Sequence, residues 1–423
     1  MRDSFFILAG TGALLITAHG ETPVAKPLTF GSQPHTDERL AHQVETEAGL
    51  GRVFPGAQDG HLRTFVSGKR LFGKNWSDLQ DKSESARWAA SSCIECHFRN
   101  GRQFSSQAKN KWSEIPLSIF LPQDDPLGAT LRPYGMTSIL FSRPELILRK
   151  SKDAEDGLLK STFPLVSFKR KAPHSVPEFH TPRMPLMVAG AGLLERILEK
   201  DILEESLRQN QEDSLVSGKA NMVYSKSLDR ESVGRLGWNA NSSTVLDVIF
   251  RAFDQDFGLS LYDSSTDAEE KSPSFEDLKS IESYIKALAV PRSLDLLPTQ
   301  KGWELFNQAG CADCHKPSWI LPSESLGFES DAIIAPYSDL LLHDMGKELA
   351  DSQNNREWRT APLWAIRYQE LIHEKSHFLH DGRAKTIEEA ILWHGGEADF
   401  SRQKFVRLAD HEKRALLIFV SSL

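Results

Sequence analysis

All four cysteines of this 423-residue chain fall into two copies of one five-residue pattern, Cys93-Ile-Glu-Cys96-His97 and Cys311-Ala-Asp-Cys314-His315. No other feature constrains the fold as tightly, because each copy fixes two thiols and an imidazole within one turn of chain. With 4 Cys and 14 His in the sequence, one such pattern arises by chance on the order of once per thousand chains of this composition. Two copies are beyond chance. They leave no cysteine for a disulfide.

This set of groups is what a c-type haem requires: two thiols for its two vinyl groups, and an imidazole that reaches iron from one face. Structural zinc is the alternative, since Cys-x-x-Cys pairs make half of many zinc sites. A histidine directly after the second cysteine fits zinc spacing poorly. The motifs therefore predict two covalently bound c-type haems, with His97 and His315 as proximal ligands.

The N-terminus agrees with this chemistry. Met1-Arg2-Asp3-Ser4 precedes an apolar run from Phe5 to Ala18 that is too short to span a bilayer and reads as the apolar region of a secretory signal. Ala18 and Gly20 supply small residues for cleavage before Glu21. Residues 1–20 are read as a signal peptide, with a retained N-terminal anchor as the alternative. Either reading implies export, and the periplasm is the expected compartment, with no membrane span after signal removal.

Apolar residues at 40% and charged residues at 26% predict a chain that folds throughout. Its length allows two or three cores. A net charge of -8 gives no footprint for nucleic acid or an anionic membrane.

Local signals divide the chain. The spacing predicts a helix over 300–308 with Thr299 as N-cap, just before the second motif. A fainter echo, Gly68-Lys-Arg-Leu71-Phe72, precedes the first at a longer distance, which suggests an internal repeat of two haem-binding units. A polar loop over 263–274 leads into a helix from Phe275 to Leu288, which Pro291 closes. The boundary therefore falls near 291, with an N-terminal haem domain over 21–290 and a C-terminal one over 291–423. Thr386 and Glu389 form a capping box for a helix that reaches Trp393 and stops at Gly395-Gly396. A last helix runs from about Asp410 to Leu423. Strand alternation is sparse, so the expected fold is mainly α: two cytochrome c-like haem domains, the N-terminal one enlarged by insertions.

Longer motifs carry a resemblance. Glu357-Trp-Arg-Thr-Ala-Pro-Leu-Trp364 and Phe378-Leu-His-Asp-Gly-Arg-Ala-Lys-Thr-Ile-Glu-Glu-Ala-Ile-Leu-Trp-His-Gly-Gly-Glu397 resemble the di-haem oxidoreductases once labelled thiol oxidoreductases. These are relatives of bacterial di-haem cytochrome c peroxidases and of the MauG enzymes. Gly190-Ala-Gly-Leu-Leu-Glu195, Gly234-Arg-Leu-Gly-Trp-Asn-Ala240 and Leu342-His-Asp-Met-Gly346 are further matches.

The resemblance implies one haem that relays an electron and another that is open to peroxide or another small oxidant, with a small redox protein as electron donor. It implies His394 as second axial ligand of the C-terminal haem, although a histidine at a helix C-terminus is also favoured by the dipole alone. His343 and Met345 are the rivals. It implies Trp238 as a bridge between the haems, where ordinary core packing is the alternative. It implies Asp256 as the distal acid, with Asp254 as the fallback and a surface carboxylate as the plain reading. Arg383 is a candidate contact to a haem propionate. No match selects a sixth ligand for the N-terminal haem from His174 or His180, which lie before Met184. Relatives hold a calcium ion between domains, and no acidic loop here identifies one.

The leading reading is a peroxidase-like oxidoreductase. An electron carrier with both irons fully ligated is the alternative from another class, and MauG-like oxidation of a partner molecule is a third. Thiol–disulfide exchange is opposed by the residues, because haem consumes all four thiols.

Overall fold

Two helix crossings organise the structure, and they repeat. In the computed structural model, which describes residues 32–42, 50–57, 59–80, 90–101, 118–120, 130–131, 144–150, 162–168, 179–180, 182–211, 214–259, 272–294, 299–351, 355–368 and 377–423, helix Asp59–Phe72 packs on helix Phe275–Lys286. Helix Thr299–Gln308 packs on helix Asp410–Ser421 in the same way. Each crossing runs through a glycine. A Cβ on Gly68 would lie 2.0 Å from the Ser280 carbonyl oxygen, and one on Gly302 would lie 2.3 Å from that of Ala415. Four residues on, Phe72 and Phe306 enter the core, each with its ring centroid 5.3 Å from an aromatic of the crossing helix, Tyr284 and Phe419 respectively. The echo in the sequence is therefore a repeated packing unit. It looks faint because Cys93 follows Phe72 by 21 residues whereas Cys311 follows Phe306 by only 5.

The helix boundaries follow local chemistry. Ser274 Oγ accepts the Asp277 amide at 3.1 Å, and Leu278, Ile281 and Ile285 turn the apolar face of that helix inward. It ends at Lys286, and Pro291 belongs to a short strand, Val290–Pro291, parallel to Ala41–His42. Thr299 lies inside its helix rather than before it. Thr386 caps helix Ile387–Leu392 by accepting the Glu389 amide at 3.0 Å. The Glu389 carboxylate takes the Lys385 amide at 2.7 Å, one residue earlier than a capping box requires.

The mainly helical expectation needs correction. Beside ten α-helices the described residues hold fourteen short strands in six small sheets. The longest pair, Pro144–Lys150 and Thr162–Phe168, is antiparallel and lies between the first motif and helix Ala191–Glu195. Pro164 interrupts one of these strands and Pro144 opens the other, which hides the strand signal. Most of the rest span two or three residues, too few to show a period of two. Nearer the C-terminus, Trp319–Leu321 pairs with Ala332–Ile334, and Leu342–Asp344 with Glu357–Arg359.

The larger apolar core gathers Phe72, Trp76, Leu193, Phe253 and Tyr284 together with Trp319, Leu321 and Leu340. A second core gathers Phe306, Tyr337, Trp358, Trp393 and Phe419. Residues 1–20, read from the sequence as a signal peptide, His174 and most of the 263–274 loop lie outside the described residues. Among the described residues no helix is long and apolar enough to cross a membrane.

Candidate functional site

Both Cys-x-x-Cys-His segments adopt the same turn. The His97 amide donates to Cys93 O at 2.9 Å, and the His315 amide donates to Cys311 O at 2.9 Å. The aromatic that follows each crossing glycine stands beside the histidine: Phe72 and His97 have centroids 6.3 Å apart, Phe306 and His315 6.4 Å. Each turn borders its own largely apolar cavity. The one at Cys93, Cys96 and His97 has a volume of about 280 Å³, and the one at Cys311, Cys314 and His315 about 200 Å³.

The donors fit haem. Burial pushes the His97 and His315 imidazoles down to about 4, so both are neutral, the form that binds a metal. Burial likewise pushes the Cys93 and Cys311 thiols up to about 12. They are therefore thiols rather than the thiolates that disulfide exchange uses. His315 donates from Nδ1 to Tyr337 O at 2.9 Å, which fixes the tautomer and leaves Nε2 as the ligand atom. Around His97 the backbone of Leu186 and Gly101 stands beside the ring without closing a hydrogen bond to Nδ1.

His394 follows helix Ile387–Leu392 and borders the same cavity as His315. Its Nδ1 donates to Ala390 O at 2.7 Å, again leaving Nε2 as the ligand atom. The two rings have centroids 6.5 Å apart and planes inclined by 42°. One metal ion bound by two imidazoles at about 2.0 Å each needs roughly 6.3 Å between ring centres. Burial lowers the His394 pKa as well.

His343 borders this cavity too, but both its nitrogens are engaged: Nε2 by Asp339 at 2.9 Å and Nδ1 by Glu397 at 3.0 Å. Burial alone would lower its pKa, yet hydrogen bonds to Asp339, Cys314 and Glu397 outweigh this and push it up to about 12. A doubly protonated ring has no lone pair for iron. Met345 lies on the cavity wall, and His380 borders it with its ring flat on Trp358, centroids 3.8 Å apart.

Trp238, Arg359 and Pro362 border both cavities. Trp238 sits in a loop that turns through Gly237 at φ +85°, a left-handed conformation that glycine adopts without strain. Its Nε1 donates to Met184 O at 2.7 Å. Arg359 is 4% exposed and donates from Nε to Gly237 O at 2.7 Å. The sequence reading did not single out Arg359, although it stands in the Glu357–Trp364 motif.

At the N-terminal cavity, helix Val245–Arg251 widens into a π-helical turn, Ala252–Asp256, a distortion common at functional sites. The widening brings Gln255 and Asp256 to the cavity wall, while Asp254 is exposed and does not border it. Met184 and Met187 also line this wall. Among the described residues His97 is the one histidine there. His180 lies in strand Phe179–His180.

Arg383 sits differently from expectation. Its guanidinium donates to Asp381 at 2.7 Å and to Glu348 O at 2.5 Å, and lies 4.7 Å over the Trp393 ring. It is not among the residues lining the cavity, whereas Arg359 and Arg402 are. An arginine beside an aspartate two residues away folds onto it readily, and the motif alone does not reveal this. For calcium, the one close grouping of metal-type donors among the described residues is Cys314, Asp339 and His343. It offers one carboxylate beside a sulfur and a nitrogen, where calcium takes about six to eight oxygens.

The geometry defines a chain with two histidine–cysteine turns, each facing a largely apolar cavity. Residues 262–423 match the family described as "Di-haem oxidoreductase, putative peroxidase". The resemblance read from the C-terminal motifs is thus borne out over that segment, which holds the second Cys-x-x-Cys-His turn and His394. Among solved structures, the chain is similar to Kuenenia stuttgartiensis hydrazine synthase pressurized with 20 bar xenon. The two share 13% identity over 96% of this chain and 100% of that one, with a TM-score of 0.39. Comparison with curated proteins gives no match.

Proposed function

We propose that this protein is an exported, periplasmic di-haem c-type oxidoreductase. It reduces peroxide in an N-terminal unit, residues 21–290, with electrons relayed by a C-terminal unit, residues 291–423. One asymmetry carries the reading. The cavity at His315 has a second imidazole, His394, at the separation one iron needs, whereas the described wall of the cavity at His97 has a carboxylate, Asp256, and no second histidine.

Cys93, Cys96 and His97 would hold one haem, and Cys311, Cys314, His315 and His394 the other. A bound haem supplies one-electron chemistry at iron. The four thiols would attach the haems by adding across their vinyl groups, with no atom lost. Asp256 would take a proton from one oxygen of hydrogen peroxide and return it to the other, which leaves as water, and the remaining oxygen would leave as a second water after taking two electrons from the donor protein and two protons from solvent. Gln255 would hold the peroxide by hydrogen bonding. Trp238, bordering both cavities, would carry electrons between the units, and Arg359 beside it would offset propionate charge. A small redox protein would serve as electron donor.

Met184 and Met187 on the N-terminal cavity wall favour the second reading, an electron carrier, because a thioether also binds haem iron. Optical and EPR titration with peroxide separates the two. A high-spin ferric haem that reacts stoichiometrically is expected. Two low-spin haems in every redox state, inert to peroxide, would establish the carrier instead.

A further inference from the structure

Beside the second haem-attachment turn lies a buried cluster of charge that the proposed reaction does not use. His343 is 2% exposed and sits between Asp339, fully buried, and Glu397. Both ring nitrogens donate to carboxylates, so the ring is an imidazolium. Each carboxylate also accepts two hydrogen bonds from elsewhere in the fold. Asp339 accepts the Leu341 amide at 3.0 Å and Gln209 Nε2 at 2.9 Å. Glu397 accepts the Ser217 amide at 2.8 Å and the Asp344 amide at 3.2 Å. Burial would raise the Glu397 pKa, but these bonds and His343 outweigh it and hold the carboxyl at about 2. Two carboxylates and one imidazolium leave a net negative charge.

The cluster is tied to the turn. The Asp339 amide donates to Cys314 O at 3.0 Å, Gln209 Nε2 donates to Asp313 O at 3.0 Å, and Cys314 Sγ lies 3.6 Å from His343 Nδ1. Buried ion clusters are seldom worth their desolvation as stabilisers, so another role is indicated. In a weakly screened interior a fixed charge beside a one-electron centre biases that centre toward one oxidation state.

We propose that the Asp339–His343–Glu397 cluster sets the reduction potential of the C-terminal haem, its net negative charge favouring the ferric state. The proposal rests on the di-haem reading. No bond is made or broken in it, and the electron is the one the donor protein supplies.

The test is a spectroelectrochemical titration of the haem-loaded full chain at mildly alkaline pH, with each haem followed by its own bands. Glu397→Gln and Asp339→Asn each remove a negative charge and should favour the ferrous C-terminal haem. The ferric-to-ferrous ratio at fixed poise should fall on the order of tenfold, a rise of about 59 mV for a one-electron couple. His343→Gln leaves two carboxylates uncompensated and should shift the same haem in the opposite direction. Glu397→Asp keeps the charge and should restore the parent potential. The N-terminal haem should not move.

Opposite signs are what a loosened fold would not give. Shifts of one sign in all three variants, or none, would overturn the proposal. If Asp339→Asn does not accumulate, Glu397→Gln and His343→Gln decide between them. Mass measurement of the parent chain keeps the two readings apart. Fewer than two haem additions ends the di-haem reading, whereas two additions with unmoved potentials ends this inference alone.

Discussion

His315 and His394 face one another across the C-terminal cavity, ring centroids 6.5 Å apart, each with Nδ1 bonded to a backbone carbonyl. They come from segments nearly eighty residues apart (394 − 315 = 79), and the same Nδ1 bonding leaves Nε2 as the nitrogen each ring has available to a metal ion.

The first prediction concerns that pair. In the haem-loaded protein, His394→Ala should convert the C-terminal haem from low to high spin, read by EPR and by its charge-transfer band. His343→Ala should leave the spin state unchanged, since that ring is already engaged by Asp339 and Glu397. A spin change in His343→Ala with none in His394→Ala would reassign the ligand.

Asp256→Asn should lower the rate of reaction with peroxide roughly 100- to 10,000-fold, because an amide cannot take and return the proton. Haem content and spectrum should survive. Asp254→Asn should react at the parent rate, since Asp254 is exposed and away from the cavity wall. Stopped-flow mixing with peroxide checks both.

At the helix crossings, Gly302→Ala should destabilise the fold. The new methyl would lie 2.3 Å from Ala415 O and 2.4 Å from Phe419 Cβ. Overpacking of this kind costs about 1–3 kcal/mol, beyond the roughly 1 kcal/mol that alanine gains in a helix. Denaturant titration should show the loss, and Gly68→Ala should show the same for the other crossing. An unchanged midpoint would mean that the helices can part without cost.

Acid sensitivity should depend on Glu205, whose side chain is 3% exposed and salt-bridged to Arg208 and, at 2.8 Å, to Lys316. Burial would raise its pKa, but these partners outweigh burial and hold it at about 2, below the ordinary 4.5. A carboxyl depressed by folding contributes stability above about 4.5 and loses it as pH falls toward 2. Glu205→Gln should therefore lower stability near neutral pH and flatten the acid limb, leaving the part due to Glu397, which titrates in the same window. A parallel acid limb in the variant would show that the pair contributes nothing.

The sequence by itself determined what depends on residues close together in the chain. The two Cys-x-x-Cys-His turns, the cap at Thr386 and the Gly-x-x-Leu-Phe echo are local patterns that recur in the fold, whereas the cap read at Thr299 falls inside its helix. The short strands were not legible, because two or three residues carry no period and Pro164 interrupts one of the longest. Only the tertiary structure distinguished His394 from His343, since the difference lies in which ring meets Asp339 and Glu397. It also separated Asp256 from Asp254 through one widened helical turn, brought Trp238 and Arg359 to both cavities, and committed Arg383 to Asp381. Those outcomes rest on burial and on contacts between distant segments, which no pattern of neighbouring residues encodes.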